Sequence, residues 1–275
     1  MEEIKLSIDV NLVRKILTGF IHDEITRAGY SRSVVNLSGG IDSAVSFFLA
    51  VEALGAQNVL AIRLPYKSSS ADSLEHAQLL IDQTGCPSIT IPITDMVDPL
   101  INREVGMSDV RKGNIMARAR MIVAYDQSEV FKGLVVGTGN KTEILLGYTT
   151  LFGDSACAIN PIGDLYKTQV RQLAHALAIP EVIISKPPSA DLWAGQTDEG
   201  ELGFTYENVD KLLFLLVDQR YRPEECIEAG FDEKFVHTVV DRIRKYQFKR
   251  ILPPIAKLSS RTVGYDFLYL RDWGT

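Results

Sequence analysis

The chain has 275 residues, 46% hydrophobic and 23% charged, the balance of a globular protein long enough for one large core or two small ones. A formal net charge of −6 argues against a protein that coats nucleic acid, and no apolar run reaches the roughly 20 residues that cross a bilayer. Cys86, Cys157 and Cys226 stand far apart with no CxxC pair, which disfavours a zinc site or a disulfide framework, and the acidic opening "MEEIKLSIDV" lacks a signal peptide's apolar stretch; a cytoplasmic protein with neither membrane nor nucleic-acid partner is expected.

Apolar residues from Leu12 to Ile25 recur at helical spacing and predict an amphipathic first helix. Strands and helices then alternate. Val34–Leu37 reads as a strand, and Ala44–Leu54 as a helix stopped by Gly55. "NVLAIRLP" is the next strand and "SADSLEHAQLLIDQTG" the next helix. "SITIPI" and Leu134–Thr138 are further strands, separated by a long helix over Val110–Gln127. This order predicts an α/β fold, a doubly wound parallel sheet covered on both faces. Ligands of such sheets sit beyond the strand C-termini where the strand order reverses, so the turns after the first and fourth strands are expected as neighbours. The division reads as a single domain, with a core over 1–186, a polar, glycine-containing lid loop over about 187–208, and C-terminal helices and a tail over 209–275. Helical patterns return at Val209–Arg220 and Asp232–Tyr246.

The turn "LSGGIDS" joins the first strand to a helix. Glycines there let backbone N–H groups approach oxyanions, and the helix N-terminus adds partial positive charge. The Walker A pattern is missing, and Asp42 stands where a phosphate would be repelled. One alternative is a tight turn with Asp42 as a helix cap. The other is a Mg²⁺ ion bridging carboxylate and polyphosphate, since Mg²⁺ takes one or two carboxylates plus substrate phosphates. Glu143, in "GTGNKTE" after the fourth strand, is placed to supply the second carboxylate.

"SGGIDS" resembles the pyrophosphate loop of the N-type ATP pyrophosphatases. The succession "KGNIMARARM", "GTGNKTE", "GYTTLFGD", "NPIGDLYKTQV", "KPPSADL" and "TDEGELGFTY" resembles, block by block, the NAD synthetase family in its ammonia-dependent form. The resemblance implies a Rossmann-like adenine nucleotide alpha hydrolase-like fold and ATP-dependent amidation of deamido-NAD (nicotinate adenine dinucleotide) by ammonia. That reaction passes through an adenylate and releases AMP and pyrophosphate. The resemblance further implies that Ser38, Gly39, Gly40, Ile41, Asp42, Ser43, Arg63, Thr138, Lys167 and Ser189 bind ATP. Asp42 and Glu143 would hold Mg²⁺, and Arg118, Tyr148, Asp154 and Lys249 would bind deamido-NAD. Asp42, Lys167 and Asp154 would carry the chemistry. A homodimer with substrate at the interface is implied. Ammonia is the expected nitrogen donor, since the match leaves no room for a glutaminase domain; a separate glutaminase subunit is the variant of that reading.

Leu151, Ala158 and Phe248 depart from the family's pattern on the dinucleotide side. The other readings are a different amidating or thiolating ATP pyrophosphatase, and a non-catalytic adenine-nucleotide binder. Asp42→Ala is expected to stop pyrophosphate release while sparing the fold.

Overall fold

The computed structural model describes residues 4–189 and 197–268. Helix α1, Val10–Arg27, begins where the Asp9 carboxylate accepts the N–H groups of Asn11 and Leu12, and it buries Ile21 and Ile25. Strand β1, Ser33–Asn36, leads through the glycine turn into α2, Ile41–Leu54. This helix starts three residues before the expected Ala44, because Gly40 already has the extended conformation of an N-cap. Asp42 therefore lies in the first turn of the helix, where the macrodipole favours a carboxylate.

Strand β2, Val59–Arg63, is followed by α3, Ala71–Thr84, then β3, Ser88–Thr90, and α4, Thr94–Ile101. The long α5 runs over Asp109–Phe131 and β4 over Leu134–Val136. Helices α6 (Lys141–Leu146), α7 (Lys167–Ala176) and α8 (Glu181–Ile184) complete this half. Two of them are six residues or fewer, too short for a 3.6-residue period to show in sequence.

The sheet is parallel, in the order β3-β2-β1-β4. The chain passes from β1 to β2 and β3 on one side and returns to β4 on the other. The switch point therefore falls between β1 and β4, and the turns after these two strands are neighbours as expected. One face of the sheet is covered by a core drawn from α1, α2 and α7, including Ile21, Phe47, Val170 and Leu173. The other face packs Val34 and Ile62 against Val97 of α4 and Met116 of α5.

A third cluster is mainly helical. It contains Leu146, Tyr166, Leu202, Tyr206, Val209, Leu213, Val236 and Val239. This corrects part of the expected loop over 187–208. Residues 190–196 of that stretch lie outside the described residues, but Asp198–Leu202 form α9 and Tyr206–Leu213 form α10, with Leu202 and Tyr206 buried. Each helix is capped by a threonine, Thr197 accepting from the Gly200 N–H and Thr205 from the Asn208 N–H; caps this close together hide the pattern in the sequence.

Helix α10 continues as a π-helical turn over Phe214–Asp218, and α11 (Pro223–Glu228) and α12 (Glu233–Lys245) close the cluster. Among the described residues, no helix is long and apolar enough to cross a membrane.

Candidate active site

The glycine turn is built against α3. Gly39 has φ +79°, and a Cβ placed on it would lie 2.2 Å from the Ser73 carbonyl oxygen. Only glycine fits both the left-handed backbone and the contact. A Cβ on Gly40 would meet nothing nearer than Ser38 Oγ at 3.4 Å. The turn is laced internally: Ser38 N–H donates to Ser43 Oγ (3.2 Å), Ser43 Oγ donates to the Gly40 carbonyl (2.9 Å), and the two serine hydroxyls lie 3.1 Å apart.

Next to the turn is a buried charge cluster. Lys167 Nζ donates to Asp42 Oδ2 and, at 3.5 Å, to Glu143 Oε1. The lysine side chain is 3% exposed and each carboxylate side chain 18%. Three elements meet here: α2 brings Asp42, α6 brings Glu143 and α7 brings Lys167. Asn140, the N-cap of α6, ties two of them together. Its Nδ2 donates to Asp42 Oδ1 (2.9 Å) while its Oδ1 accepts the Glu143 N–H (3.0 Å). The lysine also lies 5.2 Å from the centre of the Tyr206 ring.

Burial alone would depress the Lys167 ammonium, but the Asp42 and Glu143 carboxylates outweigh it and hold its pKa above the usual lysine value. Burial, reinforced by the Asp42 charge and opposed by Lys167, pushes the Glu143 carboxyl up to about 8.

A cavity of about 520 Å³ opens above these groups, a size typical of small-molecule sites. Ser38, Gly40, Ile41, Asp42, Ser43, Arg63, Thr138, Glu143, Lys167 and Ser189 line it, together with Tyr148, Asp154 and Lys249. Gly39 and Arg118 are not lining residues. Gly39 shapes the turn from behind. The Arg118 guanidinium donates to the Leu151 carbonyl through Nε (3.3 Å) and Nη2 (3.2 Å), holding the turn that follows Tyr148.

Arg63 donates to Gln78 Oε1 at 2.5 Å, and its buried Nε has no partner. Tyr148 donates its hydroxyl to Glu201 (2.7 Å), and Asp154 accepts the Thr150 N–H (2.7 Å). Removal from bulk water raises the Asp154 carboxyl above its usual range, against that hydrogen bond. Lys249 Nζ donates to the carbonyls of Gly147 (2.8 Å) and Thr149 (2.6 Å).

Sequence reasoning did not single out Lys186, Asn140 or Asp198. Lys186 lines the cavity and donates to Ser73 Oγ (2.9 Å), directly behind the glycine turn. Asp198 lines it with one carboxylate oxygen buried and unpartnered. The available signals were slight: Lys186 opens "KPPSADL", and Asn140 with Glu143 spells a capping box.

The Asp42 and Glu143 carboxylates both reach Lys167 Nζ and supply hard oxygen donors of the kind Mg²⁺ takes. Among the described residues no three His, Cys, Asp or Glu side chains gather into a metal site. An ion here would therefore complete its shell with substrate phosphate and water oxygens, as Mg²⁺ commonly does.

A family model described as NAD synthase matches residues 13–253. The NH₃-dependent NAD⁺ synthetase of Trichlorobacter lovleyi is 52% identical over 270 residues, covering 98% of this chain and 99% of its own. Among solved structures, NMN synthetase from Francisella tularensis superposes with a TM-score of 0.81 at 31% identity, over 92% of this chain and 100% of that one. The NH₃-dependent NAD synthetase from Campylobacter jejuni gives 0.77 at 32%, over 91% of this chain and 100% of that one. With a glycine turn and charge cluster at the switch point of its sheet, and half its residues shared end to end with such a relative, the chain belongs to the NAD synthase family.

Proposed function

We propose that the protein amidates deamido-NAD to NAD with ammonia and ATP, releasing AMP and pyrophosphate. The observation that carries this reading is the Lys167 ammonium, buried against Asp42 and Glu143 beside the glycine turn. It lies in a cavity that Tyr148, Asp154 and Lys249 also line, with room for a carboxylate substrate beside ATP.

In this reading a carboxylate oxygen of the nicotinate attacks the α-phosphorus of ATP, and the bond from that phosphorus to the pyrophosphate oxygen breaks. Ser38, Gly40, Ile41 and Ser43 hold the departing pyrophosphate through backbone N–H groups and hydroxyls, in a turn that Gly39 shapes. Lys167 balances the charge that grows on it, as a preorganised cation in a dry site does. Arg63 and Thr138 hold the adenosine end, and Ser189 the phosphates. Asp42 and Glu143 would hold Mg²⁺, which when bound neutralises the polyphosphate oxygens.

Ammonia then attacks the acyl carbon, AMP leaves, and the nitrogen gives up a proton, for which the Asp154 carboxylate is the acceptor facing the cavity. Tyr148, Asp154 and Lys249 orient the dinucleotide, and Arg118 supports them by holding the Leu151 turn. The same reading includes cytoplasmic location, a homodimer with substrate at its interface, and free ammonia or a separate glutaminase subunit as the nitrogen source. Sedimentation at micromolar concentration should give twice the monomer mass.

The test is pyrophosphate release by purified protein with ATP, Mg²⁺ and ammonium, with and without deamido-NAD, following NAD in the same tube. Nicotinate mononucleotide forms a third arm, because one structural neighbour is named an NMN synthetase. Release that requires deamido-NAD, with matching NAD, is expected. Release supported only by the mononucleotide would reassign the acceptor, and release with neither would refute the reading.

A further inference from the structure

Asp210 lies in α10, at the first turn of the helix that carries Lys167, and it is 0% exposed. Its Oδ2 accepts the Thr168 N–H at 2.9 Å. Its Oδ1 accepts the Thr142 hydroxyl at 2.6 Å. That same hydroxyl oxygen accepts the Lys167 N–H at 3.0 Å. Thr142 is also fully buried and is the residue before Glu143.

The first N–H groups of any helix have no partner within it. In α7 the first two, those of Lys167 and Thr168, are satisfied from outside, by α6 through Thr142 and by α10 through Asp210. A negative group at this end also meets the positive pole of the helix.

A carboxylate without solvent is costly unless its oxygens are bonded. Packing alone would be served by an apolar residue there, as it is by the neighbouring Val209 and Leu212, both 0% exposed. Both of the Asp210 contacts above lead to the turn that begins with Lys167. Lys167 is the first residue of α7, so the position of this turn sets the root of its side chain. Thr142 shares its oxygen between that root and Asp210 while standing next to Glu143. One small bracket thus fixes the cation relative to a carboxylate 24 residues away in sequence.

We propose that Asp210 is a positioning residue for Lys167, acting through Thr142 and the first turn of α7. The proposal rests on the amidation reading above for what Lys167 does. The bracket itself is a claim about geometry.

The experiment compares Thr142→Ser, which keeps the hydroxyl, with Thr142→Val and Asp210→Asn, each alone and on a Lys167→Ala background. Turnover is followed by ³²P-pyrophosphate release so that slow variants stay measurable. Thr142→Ser is expected to match wild type. Thr142→Val and Asp210→Asn should lower kcat about tenfold or more with the KM for ATP within about threefold, since only interactions stronger in the transition state act on kcat. On the Lys167→Ala background the same substitutions should cost nothing further, because residues acting as a unit are not additive.

A purely structural role would give equal losses on both backgrounds, and that result, or no loss at all, overturns the proposal. Should the wild type itself not turn over, the amidation reading fails. The bracket is then decided by amide hydrogen exchange at Lys167 and Thr168. Protection in wild type that is lost in Thr142→Val sustains it, and exchange unchanged between the two overturns it.

Discussion

Gly39→Ala is the most informative single change, because its cost can be worked from one backbone angle and one distance. At φ +79° an L-residue carries a penalty of about 1–2 kcal/mol. The new methyl would also lie 2.2 Å from the Ser73 carbonyl oxygen, against an ordinary contact of 3.4 Å or more, so the turn and the start of α3 must part by roughly 1 Å. Neither side of that contact is the free end of a side chain, and overpacking of this kind costs about 1–3 kcal/mol. A destabilisation near 3 kcal/mol lowers Tm by about 10 °C in a protein of this size. The displaced turn misplaces its pyrophosphate donors by a similar distance, which costs about a hundredfold in turnover.

Gly40→Ala is the matched control. Its backbone is ordinary at φ −91°, and its methyl meets only Ser38 Oγ at 3.4 Å. It should melt within a few degrees of wild type, yet it places a methyl on the cavity wall and should raise the KM for ATP. Differential scanning calorimetry and pyrophosphate release on the two variants make the comparison. Wild-type melting and turnover in Gly39→Ala would refute the account of the turn.

Asp42→Ala should abolish pyrophosphate release. The sequence suggests that the fold tolerates this change, whereas the buried Lys167 would lose its closer ion pair and keep the 3.5 Å one to Glu143, so calorimetry should also show a loss of about 3–5 kcal/mol; an unchanged Tm would contradict the ion-pair geometry. Glu143 sits at about 8 in the folded protein against 4.5 ordinarily, so it keeps a proton that the unfolded chain has released. Its contribution to stability is present below about pH 4.5 and is lost as pH rises to about 8. Metal-free Glu143→Gln should therefore lose less Tm between pH 5 and 8 than wild type, and parallel curves would sink the argument. Lys249→Met removes the donor to Gly147 and Thr149 and should raise the KM for deamido-NAD about tenfold, the equivalent of about 1.5 kcal/mol, with the KM for ATP unmoved; equal shifts in both would show a general loosening instead.

What the sequence made readable was local. Glycines between a β-branched strand and an apolar helix mark the turn after β1, and the alternation of elements predicts a parallel sheet with that turn beside β4. The charge cluster was not readable in the same way. Taken alone, Lys167 is an ordinary lysine in a helix; its burial comes from Asp42 and Glu143, which are 125 and 24 residues away, and no local period encodes such a meeting. Arg118 matched a substrate-binding position by spelling, but its guanidinium is engaged by a backbone carbonyl that only the folded chain brings near. Asp210 was invisible because a lone aspartate in an amphipathic helix reads as solvated surface. Helix α9 falls within the stretch that reads as loop, and α10 begins three residues before the helical pattern expected from Val209, because both starts are set by threonine caps rather than by a repeating stripe.

The three charged residues of the centre do not belong to one core. Asp42 rides on a helix packed against the sheet, and Glu143 on a helix whose Leu146 belongs to the helical cluster. Lys167 lies between Tyr166 of that cluster and Val170 of the sheet core. The site is therefore a seam between two separately packed bodies. Regions with independent cores open at their own free energies, and the helical body is much the smaller. Heating should part the seam before the sheet melts, so inactivation is expected at a lower temperature than the loss of β-structure. The working thermal limit of the enzyme would then be that of its helical cap, and stabilising the sheet would do nothing to extend it.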